Sequence, residues 1–158
     1  IKRSAKTRFQ SVRDFCEQMR KAGKHVVILT PTPVFMEFSD KSQLGKGEDY
    51  VQWRMQRKWP VKQQLENDPF IISEREYMRF NEEVFDFLQD LEQKGYCKLL
   101  HIEKGIFREG NFSGLHHGTL FCRDKTHITP AASIYIMQGV ADEFESLIKQ
   151  NQATPVRE

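Results

Sequence analysis

An α/β domain with parallel strands, forming part of a three-layer α/β/α sandwich, is the fold class the 158-residue sequence predicts. Two observations carry this. The runs His25–Thr30 and Cys97–Ile102 are short, continuous and apolar, as in strands buried on both faces of a parallel sheet. Each follows a helical pattern that closes on a glycine, and a third helical pattern ends the chain, so the order reads α-β-α-β-α. Strand, helix and strand again is the pattern of a crossover between parallel neighbours. At this length one domain with a real core is expected, and 39% hydrophobic content with 12 Phe agrees.

The elements follow in chain order. Thr7 and Gln10 have capping-box spacing, and Phe9, Val12, Phe15, Cys16 and Met19 form an apolar stripe at helical period. Gly23 closes this helix, and Arg20, Lys21 and Lys24 complement its C-terminal dipole. After the strand at 25–30, Pro31-Thr32-Pro33 ends it at its carboxyl end, where open α/β sheets place their ligands. From Val34 to Ser73 the periodicity fails, so residues 34–73 are expected to be an irregular insertion. Tyr50, Trp53 and Trp59 are interleaved there with Arg54, Arg57, Lys58 and Lys62, a mixture suited to stacking on sugar rings, sitting at a membrane interface, gripping single-stranded nucleic acid or packing back on the domain. Ser73 and Glu76 form a second capping box, followed by a helix face of Phe80, Val84, Phe87, Leu88 and Leu91 that ends before Gly95. Residues 103–117 read as loop, and Asn111-Phe112-Ser113 within them as a chance match to a glycosylation sequon. The last helix is expected from Pro130 to about Gln150, burying Ile136, Val140, Phe144 and Leu147. Gly139 inside it suggests close approach to a neighbour, and residues 151–158 should fray.

Composition narrows the function classes. A net charge of +2 gives no global field for nucleic acid. No run of 18 apolar residues spans a membrane. Cys16, Cys97 and Cys122 form no C-x-x-C pair and allow one internal disulfide at most. The chain starts at Ile1 without a Met or signal-peptide pattern, which marks it as an expected fragment or processed product.

Chemistry concentrates in Cys122-Arg123-Asp124-Lys125-Thr126-His127-Ile128-Thr129-Pro130. Thr129 is a good N-cap and Pro130 suits the first helical position, so a rigid element pins the loop that carries Asp124 and His127. A carboxylate beside an imidazole holds its tautomer and stabilises its cation, as a general base for a hydroxyl nucleophile requires. The run Gly118–Thr129 with its following helix resembles the last block of the SGNH hydrolase superfamily. It is most similar to the C-terminal SGNH domains of membrane acyltransferases that O-acetylate surface polysaccharides. In those domains the block reads D-x-x-H-[LI]-[ST], which makes Asp124 and His127 the acid and base of a serine triad. The resemblance further implies SGNH/flavodoxin-like layering, no cofactor, no metal and an extracytoplasmic, membrane-associated setting. The implied partners are an acylated polysaccharide or acyl donor and a membrane acyltransferase domain.

The family's opening blocks are not found in this sequence. No Gly-Asp-Ser turn occurs, and Ser113 lacks the strand–turn–helix setting of a nucleophile. Residues 1–150 are therefore expected to be the C-terminal portion of an SGNH-like domain, with the serine and a partner strand for residues 25–30 supplied from elsewhere. Three other readings compete. A zinc site from His116, His117, Cys122, Asp124 and His127 fits no ordinary motif, and adjacent histidines tend to point their rings apart. A non-catalytic carbohydrate- or protein-binding module would use Tyr50, Trp53 and Trp59. Nucleic-acid binding through residues 54–62 is disfavoured by the near-neutral charge.

Overall fold

A computed structural model of the chain describes residues 5–33, 71–123 and 127–153, the side chains of residues 5, 6 and 151–153 excepted. In order, the elements are α1 (Ala5–Lys21), β1 (Val27–Leu29), β2 (Ile71–Ile72), α2 (Glu74–Phe80), α3 (Glu82–Gln93), β3 (Lys98–Leu100), α4 (Glu103–Ile106), β4 (Phe112–Ser113), β5 (Leu115–His116), β6 (Thr119–Leu120), α5 (Pro130–Gly139) and α6 (Ala141–Ala153). They fall into two compact units. The first is drawn from Ile1–Pro31, Asn81–His101 and Val140–Glu158, and the second from Thr32–Phe80 and Ile102–Gly139.

In the first unit β1 and β3 pair in parallel, with Val27 opposite Lys98 and Leu29 opposite Leu100, as the two apolar runs predict. One device starts both strands. Gly23 (φ 69°) and Gly95 (φ 70°) take the left-handed conformation that closes α1 and α3. Around them Lys24 N–H donates to Met19 O at 2.9 Å and Tyr96 N–H to Leu91 O at 3.0 Å, the six-to-one bonds of a Schellman turn. The core joins Cys16, Leu88, Leu91, Cys97 and Leu99, with Val26, Ile28, Val84, Phe87 and Tyr96 packed against it. Phe9 stacks on Phe87 at 4.4 Å, and Arg13 pairs with Asp90 at 3.1 Å. All three cysteines are buried and outside any disulfide, and burial, with Cys16 and Glu92 nearby, pushes the Cys97 thiol up to about 12.

The α1 stripe differs from its expected composition. Cys16 is fully buried, but Val12 is 38% and Phe15 53% exposed. The inward line runs through the half-buried Phe9 and Arg13 to the buried Cys16, and Phe15 lies about 100° round the helix from Cys16. Thr7 is no N-cap, because the helix already starts at Ala5. Leu29 on β1 is 50% exposed, and β1 has no partner other than β3 among the described residues.

The second unit holds most of what the sequence left as loop. β2 pairs antiparallel with β4, Ile72 opposite Phe112, and β5 with β6, so only β1–β3 is parallel among the described pairs. The expected loop 103–117 thus contains α4, β4 and β5, and the expected insertion ends in β2. Tyr77, Ile106, Phe107 and Phe112 are buried in this unit, with Tyr77 and Phe107 rings 5.1 Å apart. The α4 and α5 backbones meet at Gly105 and Gly139, where a Cβ on Gly139 would lie 2.6 Å from Gly105 Cα. The close approach read from Gly139 is present.

Two helices expected to be continuous are broken. The helix after Ser73 stops at Phe80, which is 39% exposed, and restarts beyond Asn81, whose carbonyl accepts from the Val84 and Phe85 amides. The last helix breaks at Val140, whose carbonyl accepts the Phe144 amide at 3.0 Å. Phe144 is 37% exposed rather than buried, and the helix runs on to Ala153. Both breaks coincide with unit boundaries, a constraint that helical periodicity cannot express.

The second capping box is formed as read. Ser73 Oγ donates to Glu76 Oε2 at 2.6 Å, Ser73 N–H donates to the same oxygen at 3.0 Å, and Glu76 N–H donates to Ser73 Oγ at 3.3 Å. The Ser73 hydroxyl and then its amide hold the Glu76 carboxyl below its ordinary value. Ser73→Ala is expected to cost about 1 kcal/mol at neutral pH. A depressed carboxylate stabilises the fold above its unfolded pKa of about 4.3 and loses that contribution as pH falls through the folded value. The melting-temperature gap between wild type and Ser73→Ala should therefore narrow on acidification below about pH 4. A gap independent of pH would show that the box does not form.

Candidate functional site

The Asp124–His127 loop is anchored by main-chain bonds. β6 leads into Phe121 and Cys122, whose amides donate to Gly114 O at 2.8 and 3.2 Å. Cys122 bridges antiparallel to Ile128, and Arg123 N–H donates to His127 O at 3.0 Å, closing the loop at its base. Thr129 then ties the loop to both neighbours. Its amide donates to Phe121 O at 2.8 Å and its hydroxyl to Leu120 O at 2.7 Å, while its Oγ1 accepts the Ala132 amide at 3.3 Å. Thr129 is thus the N-cap of α5 and Pro130 its first residue, as the sequence implies. His127 is exposed at the end of this frame. Asp124, Tyr50, Trp53 and Trp59 lie outside the described residues. Ser113, set aside as a nucleophile from its sequence context, is 8% exposed. Its Oγ donates to Leu115 O at 2.9 Å and accepts from Leu115 N–H at 3.2 Å.

A second cluster sits on the β5–β6 hairpin of the same unit. The hairpin turns on His117 (φ 46°) and Gly118 (φ 76°), two consecutive positive φ values of the kind a two-residue type I′ turn needs. His116 packs against Phe121 (4.8 Å) and Tyr135 (4.7 Å), and the Arg108 guanidinium lies over the Tyr135 ring, 3.7 Å from its centroid. Glu109 Oε2 lies 2.9 Å from His117 Nε2 and 3.3 Å from His116 Nε2. The expectation that adjacent histidines point apart therefore fails for this pair. Positive φ at His117 swings its ring back beside His116, and the ring centroids are 4.3 Å apart. Burial first, and His117 second, lower the His116 pKa, so its imidazole is neutral at neutral pH. Hydrogen bonding to His117 is the largest cause holding the Glu109 carboxyl low. Sequence reasoning missed Glu109. Its signal was the two-residue His-Gly turn, which brings the end of β5 opposite the start of β6.

A family model of the SGNH domain found fused to AT3 domains matches residues 2–142. The chain belongs to this family. Membership gives the SGNH domain an α/β fold and places it in the acyl-transfer and esterase class, with Asp124 and His127 inside the matched span. The AT3 fusion points to a membrane-associated context, and among the described residues no helix is long and apolar enough to cross a membrane. No curated protein and no solved structure matches the chain.

Proposed function

We propose that this SGNH domain catalyses acyl transfer as an O-acetyl esterase or O-acetyltransferase on cell-surface polysaccharide. In this reading a serine outside these 158 residues attacks an ester carbonyl, and His127 takes its proton. Asp124 is the acid assigned to orient the imidazole. The donor's C–O bond then breaks and His127 gives the proton to the departing alkoxide. In the second half His127 takes a proton from water or a sugar hydroxyl as that oxygen attacks the acyl-serine, and returns it to the serine oxygen. No metal or cofactor enters these steps. The observation that carries the reading is Asp124-x-x-His127-Ile128-Thr129 in a chain of this family, on a loop welded at its base to the N-terminus of α5.

The finer picture belongs to the same proposal. Residues 1–150 form the C-terminal portion of a three-layer α/β/α sandwich, and a strand from the rest of the domain, in the same or another chain, pairs with the outer edge of β1. The exposed Leu29, Val12 and Phe15 support this, since an open edge beside apolar side chains is a liability unless covered. Tyr50, Trp53 and Trp59 stack on the sugar, and the setting is extracytoplasmic. The test is to incubate the full-length protein with an activated acetyl ester and locate acetyl-serine by mass spectrometry. An acetylated serine that turns over onto water or sugar is expected. Steady turnover with no covalent acetyl-enzyme, even on rapid quenching, would overturn the mechanism.

A further inference from the structure

We propose that Glu109, His116 and His117 form a zinc site on the β5–β6 hairpin. Zinc takes imidazole nitrogen and carboxylate oxygen, and two histidines with one glutamate leave a fourth position for water. The three ligand-bearing groups offer one atom each, all within 4.8 Å of one another. Zinc bonds of about 2.0–2.2 Å in a tetrahedron place ligand atoms roughly 3.3 Å apart. The carboxylate–imidazole separations of 2.9 and 3.3 Å are already close to that value.

A second observation points to a ligand independently of the clustering. His116 Nε2 is buried and has no hydrogen-bond partner among the described residues, although it lies 3.3 Å from Glu109 Oε2, because the geometry there is wrong for a hydrogen bond. A buried ring nitrogen left in this way costs free energy, and an ion at that place satisfies it. The ring cannot easily turn away, since Phe121 and Tyr135 hold it. The turn sets the backbone at His117, and the His117 ring lies 2.9 Å from Glu109 Oε2. Glu109 lies on an open cavity of about 480 Å³ lined also by Asn111, Ser113 and Gly118, which leaves room for the fourth ligand. Arg108, 3.7 Å from the Tyr135 ring centroid, is a nearby like charge that weakens cation binding, so an exchangeable ion is expected rather than a permanently held one. The zinc would clip the hairpin that leads directly into the loop of His127.

Zinc alone, titrated by calorimetry into the purified protein after chelator treatment, tests the proposal. One zinc per chain is expected, with a raised melting temperature and slower hydrogen exchange in residues 112–121. His117→Asn preserves the turn, because Asn accepts positive φ, and removes the imidazole. Glu109→Gln changes an exposed side chain and spares the fold. Each should weaken zinc binding by more than about tenfold, since even outer-shell changes cost 10–100-fold. His25→Ala, in the other unit, should leave binding unchanged. Absence of saturable binding, or binding unaltered in both His117→Asn and Glu109→Gln, would overturn the site. Acyl-transfer activity is not the readout, so failure here leaves the proposed reaction untouched.

Discussion

His127→Ala in the full-length protein is expected to remove turnover by on the order of a thousandfold or more, because triad members act as a unit. Its melting temperature should stay close to that of wild type. His127 is exposed, and the loop is framed by the Cys122–Ile128 bridge, the Arg123 amide on the His127 carbonyl and the Thr129 side-chain cap. Alanine keeps every one of those bonds. Asp124→Asn should also be damaging, through loss of the correct imidazole tautomer. Measuring ester hydrolysis or sugar acetylation beside thermal unfolding separates a lost base from a lost fold. Near-wild-type activity in His127→Ala would end the catalytic assignment.

Gly105→Ala should produce the largest loss of stability. A Cβ there would sit 2.2 Å from Ile136 O and 3.1 Å from Ile136 C, both backbone atoms that no rotamer change can move. The α4 and α5 backbones must separate, and the buried Ile106 and Ile136 lose packing with them. Overpacking of this kind costs about 3 kcal/mol, or roughly 6–12 °C in melting temperature at this chain length. Gly110→Ala is the matched control. Among the described residues nothing lies within 4 Å of a Cβ added there, and its φ of 96° penalises a side chain by about 1–2 kcal/mol. Equal melting temperatures for Gly105→Ala and wild type would refute the close approach. Because α5 begins at Pro130, its displacement should also lower activity, in proportion to the loss of fold.

Local chemistry was legible in the sequence. Gly23 and Gly95 as helix stops, the Ser73–Glu76 box, the Thr129 cap and the two apolar runs each depend on neighbours within a few residues, so spacing alone reveals them. The Asp124-x-x-His127 block is equally local, and it carried the family assignment that the match over residues 2–142 supports. What the sequence could not express was which residues pack together across the chain. Helical period marks a face but not its partner, so Val12, Phe15, Phe80 and Phe144 read as core and are exposed. The β2–β4 pair is two residues long on each side, too short for any period, and forms because Ile72 and Phe112 are buried within the second unit. Glu109 meets the two histidines for the same kind of reason. Seven and eight residues separate them in the chain, and only a positive-φ turn and the packing of His116 on Tyr135 bring their polar atoms together. The sequence by itself determined the glycine stops of α1 and α3, the capped starts at Ser73 and Thr129, and the loop in which Asp124 and His127 are proposed to act. Tertiary structure alone decided the burial of each helix face and the convergence of Glu109, His116 and His117, because both depend on long-range contacts that no local spacing encodes.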